Sequence, residues 1–419
     1  MEIKVLGGAR EVGRSAFLVK GSGTSILLDF GVLIHTKEPI FPIHIQRRDV
    51  DAVLLSHAHL DHSGAIPLLF FKDHVKLYTT DLTSELTKLL IEDFLKVSGF
   101  YLPFEYPELK NMMRNVVHVH YDEKVKIGEF EVTFFEAGHI AGGASIIVEN
   151  GGKRLLYTGD MNAHETRLLR GAVTDFGELD FIITESTYAL TDHPSREEVE
   201  REFVEFAKEV VERGGTLLVP AFAVGRSQEI ACVLKSAKFP YRIAMDGMAL
   251  KANEIHLNHP EYLRDPELLR KSLEDVEFIS SWSERRRIVK TPSVIISPAG
   301  MLGGGAAVFY NSEVAKSSKN AIAIVSYQIA DTPGRILLDK GLALVDGKLK
   351  KVKAEIRRFD FSSHSGRAEL FEMFEKIKGA PKVITIHGEE IACVKFAEEL
   401  RERFGLEAVA PKPGDTFTV

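Results

Sequence analysis

A chain of 419 residues exceeds the usual size of one hydrophobic core, so two domains are expected. The hydrophobic fraction of 45% and charged fraction of 27% are those of an ordinary globular protein, and no apolar run approaches a membrane span, the longest candidate being residues 66–71. A net charge of −7 excludes a whole-protein basic field, so any nucleic-acid contact has to rest on local patches and on metal charge.

The opening MEIKVLGGAREVG runs straight into a strand and a glycine-rich turn without signal-peptide architecture, and a cytoplasmic protein is expected. Short apolar runs at 4–6, 16–20, 25–29, 52–55, 75–79, 116–120, 131–136, 145–149 and 154–158 read as strands, with helices at 64–70 and 80–98. This pattern predicts a layered α+β sandwich with its helices outside, over residues 1–189. The segment SREEVEREFVEFAKEVVE, from Ser195, is an amphipathic helix opened by a serine N-cap. Buried-type strands at 216–221, 241–245, 293–297 and 321–326 then alternate with helices at 227–238, 249–256, 266–273 and 306–316. Such alternation predicts a parallel sheet covered on both faces, a separate α/β domain at 190–340. Residues 341–419 return to strand and helix and carry late histidines, so the middle domain reads as an insertion into the first. Cys232 and Cys393 each sit in an apolar, helix-like segment and read as buried free thiols.

The chemistry concentrates in His57-Ala58-His59-Leu60-Asp61-His62, directly after the apolar run Ala52–Leu55. Such a loop at a buried strand's end presents three imidazoles and a carboxylate to one small volume. That donor set suits borderline-soft divalent ions, zinc above all, and two adjacent ions activate water against an acyl or phosphoryl centre. Asp29 ends the strand SILLD and can orient a ligand from behind. His139 follows a strand in FFEAGHIAGGAS, Asp160 ends one in LLYTGD and could bridge two metals, and His387 ends one in VITIH. Each alone reads as a structural histidine or a turn aspartate; together they mark strand ends converging on one site.

In these residues the chain resembles the metallo-β-lactamase superfamily and, within it, the β-CASP ribonucleases, over nearly its whole length. Asp29, the HAHLDH run, His139 and Asp160 fit four motifs in order. Glu185 in FIITESTY, His364 in FDFSSHSGR and His387 in TIHGEE fit the β-CASP set, and GGAREVGRS, AFAVGRSQE and SPAGMLGGGA are also similar. The resemblance implies an αββα metallo-β-lactamase fold with an inserted α/β β-CASP domain. It implies two zinc ions, one held by His57, His59 and His139, the other by Asp61, His62 and His387, bridged by Asp160. A hydroxide between them would attack the scissile phosphorus, and His364, held by Glu185, would protonate the leaving 3′ oxygen, leaving 5′-phosphate and 3′-hydroxyl ends. Histidine at 387 is similar to relatives that act on RNA rather than DNA. Single-stranded RNA is the implied partner, with Arg226, Arg335, Ser362, Ser363 and Ser365 as phosphate contacts. A homodimer or an RNA-processing complex is the implied assembly, and no membrane is involved.

For each of these contacts the plain alternative is a loop arginine paired with a carboxylate or a serine closing a turn. The basic runs Arg285–Arg287 and Lys348–Lys353 read chiefly as solvated faces, and His118 and His120 as edge-strand histidines. His35, His44, His74, His164, His193, His256 and His259 show no ligand pattern. Competing readings are another hydrolase of the same superfamily, acting on thioesters or lactams, and a non-cleaving RNA-processing scaffold subunit. The first needs neither the long insertion nor the His364–Glu185 pair; the second predicts missing ligands.

Overall fold

The apolar runs pair into three large sheets in the computed structural model, which describes residues 1–34, 38–72, 75–98 and 101–419. The chain forms two units: Met1–Glu165, Arg170–Asp192 and Ser363–Val419 make the first, Thr166–Leu169 and His193–Ser362 the second. Among the described residues no helix is long and apolar enough to cross a membrane.

The first unit is built on two seven-stranded sheets. One runs in the order Thr416–Thr418, Glu2–Gly7, Ala16–Lys20, Ser25–Leu28, Ala52–Leu54, Lys76–Thr79, Val116–His118. The other runs Ala408–Val409, Lys382–Ile386, Phe181–Glu185, Lys153–Tyr157, Ala144–Asn150, Phe130–Glu136, Lys124–Ile127. Strand periodicity explains the layering, because successive side chains point to opposite faces. Ile3, Phe17, Val19, Ile26, Leu28 and Leu54 turn inward and meet Phe130, Phe134, Ile146, Leu155, Phe181 and Ile384 of the facing sheet. Their neighbours Leu18, Leu27 and Val53 turn outward onto a layer containing Ile91, Phe94 and Met112 of the helices Asp81–Val97 and Tyr106–Arg114. Ile147, Leu156 and Val383 likewise cover Phe371, Phe374, Phe396 and Leu400 of Arg367–Lys376 and Glu390–Phe404. The result is the expected four-layer sandwich, helix, sheet, sheet, helix.

The second unit has a six-stranded parallel sheet, in the order Val276–Ile279, Ile243–Asp246, Ser293–Ser297, Thr216–Pro220, Ala321–Ile324, Glu355–Arg358. Its four central strands are buried on both faces, as parallel strands between helices are. The chain stays in this unit past residue 340, where the sequence placed its return. Glu355–Arg358 pairs with Ala321–Ile324, and Phe359 and Phe361 pack edge-on against the buried Phe203 of helix Arg196–Glu212. These rings make the second unit end at Ser362 rather than at the hairpin Leu342–Val345/Lys348–Lys351.

Local signals account for the other differences. The helix expected at 64–70 is only a short turn, Ile66–Leu69, because Pro67 provides no amide for a continuing ladder. Tyr106–Arg114 and Trp282–Ile288 are additional helices, each opened by a capping box, Glu105 with Glu108 and Ser281 with Glu284. Ser195 stands at the expected N-cap, but its side chain makes no capping bond. Both cysteines are free and buried. Replacing Phe203 by alanine should cost the second unit roughly 3–5 kcal/mol, as for other fully buried aromatics. Denaturant unfolding measures this, and a loss below about 1 kcal/mol would contradict the packing role.

Candidate metal centre

Each chemistry-bearing side chain of the first unit stands at or just beyond a strand end. Asp29 follows Ser25–Leu28, the HAHLDH run follows Ala52–Leu54, and Asp160 follows Lys153–Tyr157. Glu185 closes Phe181–Glu185, His387 follows Lys382–Ile386, and His139 lies in the loop between Phe130–Glu136 and Ala144–Asn150. Ser25–Leu28 is parallel to Ala52–Leu54, and Lys153–Tyr157, Phe181–Glu185 and Lys382–Ile386 are mutually parallel, so their carboxyl ends open on one side.

The histidine run is strapped in place by backbone. Phe30 N–H donates to His62 O, Val32 N–H to Leu60 O and Ser15 N–H to Asp61 O. A Cβ at Gly31 would lie 1.7 Å from Asp61 O, so only glycine lets this strap pass. Asp29 and His387 both hold left-handed backbone, with φ of 55° and 47°. Such conformations cost of order 1–3 kcal/mol and persist only where surroundings over-determine them. His387 N–H donates to Gly8 O, and the Thr187 hydroxyl donates to His387 O at 3.0 Å.

His57, His62, His139, Asp160 and His387 are all buried. Nε2 atoms of His57 and His139 lie 3.6 and 3.7 Å from Asp160 Oδ2, and His139 Nε2 is 3.1 Å from His59 Nδ1. On the other side of the same carboxylate, His62 Nε2 and His387 Nδ1 are 3.3 and 3.2 Å from Oδ1. Asp61 Oδ2 is 3.3 Å from His387 Nε2. Two donor groups therefore share Asp160: His57, His59 and His139 with it, and His62 and His387 with it, while Asp61 falls within reach of His57 and His62. The structure thus brings together all seven residues expected as ligands.

Asp29 is fully buried and takes four hydrogen bonds: from Ser56 N and Oγ at 2.7 and 2.6 Å, Tyr157 Oη at 2.6 Å and His62 Nδ1 at 2.7 Å. A carboxylate so placed fixes the His62 tautomer, leaving the Nε2 lone pair to face Asp160. The Ser363 carbonyl does the same for His139, accepting from Nδ1 at 2.8 Å. Sequence reasoning missed Tyr157 and Ser56. Their signals were present, a polar-tipped aromatic in a buried strand and a serine directly before the first histidine.

Charge follows from this geometry. Burial, then the neighbouring imidazoles, holds His57 and His139 well below the usual histidine range, and burial lowers His59 to about 4. These three are neutral, as a ligand must be. Burial pulls His62 the same way, but Asp160 and Asp29 outweigh it and raise it. Burial would raise Asp160 and Asp61, yet the surrounding imidazoles keep both ionised. Glu185 Oε2 is 2.8 Å from His364 Nδ1, and its Oε1 takes Met161 N–H at 2.7 Å. Burial depresses His364, but Glu185 overcomes it and raises the ring to about 9.

A divalent cation fits this donor set. Nε2 of His57, Nε2 of His62 and Oδ1 of Asp160 are buried without a hydrogen-bond partner, although His57 Nε2 lies 3.6 Å from Asp160 Oδ2 and His62 Nε2 3.3 Å from Oδ1. His139 Nε2, a lone-pair atom, points at a second imidazole nitrogen. The potential that favours a proton on His62 favours a metal cation equally. The histidine and carboxylate set matches zinc-type coordination.

The expected phosphate contacts are distributed differently. Arg226 is a buried first residue of helix Arg226–Ser236, after Gly225 with φ 80°. Arg335 is half-exposed and paired with Asp339 one turn on. Ser362 N–H donates to Asp360, and its carbonyl takes Arg196 Nη1 at 3.4 Å. Ser365 is fully buried; its Oγ accepts from Ala163 N and its N–H donates to Met161 O. It therefore ties the His364 loop to the Asp160 loop instead of facing a phosphate. Of the basic runs, Lys348–Lys351 is an exposed hairpin strand, while Arg285 is engaged with a buried aspartate. His118 is exposed on an edge strand, and His35 and His74 lie outside the described residues.

Comparison with known proteins places this geometry in a family. Residues 9–208 match the Metallo-beta-lactamase superfamily, 227–337 the Beta-Casp domain, and 350–411 the Zn-dependent metallo-hydrolase RNA specificity domain. The chain is 40% identical to "RNase aCSPSF2" of Saccharolobus solfataricus, covering 100% of this chain and 85% of that protein. It is 36% identical to "Probable RNase MJ4" of Methanocaldococcus jannaschii, with each chain covered in full at 100%. It is 35% identical to "Transcription termination factor FttA" of the same organism, covering 100% of this chain and 72% of that one. A solved structure of a protein of unknown function from Enterococcus faecalis shares the fold, with a TM-score of 0.63 at 16% identity over 100% of this chain and 99% of that one. By its three domain matches, and by relatives aligned along its whole length, the chain belongs to the β-CASP branch of the metallo-β-lactamase superfamily, a superfamily of metal-dependent hydrolases.

Proposed function

We propose that the protein is a zinc-dependent ribonuclease of RNA processing or decay. It hydrolyses phosphodiester bonds of single-stranded RNA to 5′-phosphate and 3′-hydroxyl ends, as an endonuclease, a 5′-to-3′ exonuclease or both. One observation carries this reading: beside the cation-ready cluster stands a separate, carboxylate-held imidazole, His364, its ring 4.5 Å from that of His139. A lactam or thioester hydrolase needs the cluster alone, whereas an RNA strand leaves as a poor alkoxide that profits from a proton. The names of the relatives, two RNases and a termination factor, point the same way.

In this reading His57, His59 and His139 hold one zinc, Asp61, His62 and His387 the other, and Asp160 both. When bound, the two cations supply an activated water and the positive charge that phosphoryl oxygens demand. The protein's own residues do the rest. Glu185 engages His364 Nδ1, so the transferable proton sits on Nε2 and goes to the leaving 3′ oxygen. Asp61, with 29% of its side chain exposed, forms the open side of the cluster where substrate enters. Asp29, clamped by Tyr157 and Ser56, keeps His62 aimed. Arg226, Arg335, Ser362 and Ser363 remain candidate phosphate contacts, Arg335 exchanging Asp339 for a phosphate.

The test is cleavage of end-labelled linear RNA and of circular RNA, with zinc and with a chelator. Cutting of the circle establishes internal cleavage, and strict need for a 5′-monophosphate end marks the exonuclease. No cleavage of any RNA, alongside turnover of a lactam or thioester, overturns the reading. Asp61→Asn should abolish cleavage and leave the circular-dichroism spectrum unchanged; full activity would contradict the ligand assignment.

His364→Ala should slow single-turnover cleavage by about 10²–10⁴-fold with zinc content retained; loss of metal would make His364 a ligand instead. With Glu185→Gln the carboxylate that raises the ring is gone. The alkaline limb of the pH–rate profile should then move to lower pH, because an imidazolium acid is lost once pH exceeds its pKa. An unmoved limb would remove Glu185 from this role. Tyr157→Phe deletes one of the four donors to Asp29. Competition with a chromophoric chelator should show zinc held roughly tenfold more weakly, with little change in thermal unfolding of the metal-free protein.

A further inference from the structure

Trp282 is the only tryptophan of the chain, and it is 56% exposed. It opens helix Trp282–Ile288 directly after strand Val276–Ile279, at the carboxyl end of the second unit's parallel sheet. That end is where parallel α/β sheets take their ligands. An exposed indole usually moves, but this one is held. The Arg285 guanidinium covers one face at 4.9 Å, and Phe309 of helix Gly305–Val314 meets it edge-on at 5.4 Å and 85°. Its helix is fixed by the Ser281–Glu284 capping box.

Arg285 is itself fixed. Its Nε and Nη2 reach Asp246 Oδ2 and Oδ1 at 2.7 and 2.8 Å, a bidentate pair on a carboxylate that is 0% exposed. Tyr310 Oη donates to the same Oδ2 at 2.7 Å, and Gly247 N–H to Oδ1. Asp246 is thus satisfied and Arg285 neutralised, so this arginine has no charge to spare for a phosphate. A buried ion pair of this kind adds little net stability and is worth keeping where it fixes geometry. What it fixes is an indole braced by a guanidinium and a second ring that nevertheless stays 56% exposed.

The surroundings say what meets the exposed part of the ring. Arg286 and Lys290 are exposed on the same helix and its end, and Arg287 pairs with Glu277 at the rim. Arg242 stands 3.9 Å from the same Glu277, and Glu284 is spent on the cap. Cations outnumber carboxylates here although the chain as a whole is acidic. A rigid aromatic face among surplus cations suits a flexible polyanion carrying flat rings, which is single-stranded nucleic acid. We infer that Trp282 is a stacking platform for a base of bound single-stranded RNA, braced by Arg285 on Asp246 and flanked by Arg286 as a backbone contact. This rests on the ribonuclease reading.

The single tryptophan makes the test direct. A short oligoadenylate is titrated into the full-length protein carrying His364→Ala, so that the strand survives, while Trp282 emission and the anisotropy of labelled RNA are both followed. Stacking should quench the emission along the anisotropy curve, and inorganic polyphosphate, which has charge but no bases, should not. Trp282→Ala should weaken RNA binding by roughly tenfold, and Trp282→Phe by much less. Undiminished binding by the alanine variant, or unchanged emission at RNA saturation, overturns the inference and leaves the ribonuclease reading intact. Emission that shifts with protein concentration and without RNA also overturns it, making the indole a contact between copies. Absence of both RNA binding and cleavage would sink the ribonuclease reading itself.

Discussion

The first unit depends on the attraction between one buried carboxylate and the imidazoles on its two sides. Asp160 faces His57 and His139 with one oxygen and His62 and His387 with the other. Burying an isolated carboxylate is costly; the imidazoles on the His62 side keep Asp160 ionised, while burial holds His57, His59 and His139 neutral on the other. A bound divalent cation would add positive charge where His57 Nε2, His62 Nε2 and Asp160 Oδ1 are buried without hydrogen-bond partners, so the same residues that look frustrated as a hydrogen-bond network look sensible as a metal site.

Holding that arrangement uses strain elsewhere. Asp29 and His387 adopt backbone conformations that non-glycine residues avoid. At Asp29 the left-handed turn aims the carboxylate at Ser56, Tyr157 and His62 together. At His387 the amide and carbonyl are both tied down, to Gly8 and Thr187, so that the ring meets Asp160 and Asp61. The apolar face of each sheet supplies the rigidity against which these turns are held.

Much of this could be read from the residues. The HAHLDH run after an apolar strand declares itself, because few other uses bring three histidines and an aspartate into six positions. His139, Asp160 and His387 were legible only as a set, each following a strand and each ordinary alone. The signal of Tyr157, a polar-tipped aromatic in a buried strand, is faint, since such a tyrosine is normally core and its hydroxyl partner lies 128 positions away in sequence. Ser365 was misassigned for the opposite reason: a serine beside a reactive histidine resembles a phosphate contact, and only its burial reveals a loop tie. The second unit runs on past the exposed lysine-rich hairpin, because the contacts that hold its last segment are the rings of Phe359 and Phe361 on Phe203, which no local pattern announces.

The chain order of the site has a consequence for biosynthesis. Asp29, the histidine run, His139, Asp160 and Glu185 precede the second unit, while His364 and His387 follow it. A nascent chain on the ribosome can therefore expose eight imidazole and carboxylate side chains before His364 and His387 are made. Until residue 387 has emerged the cluster is incomplete, so the site can close only after the second unit has been synthesised.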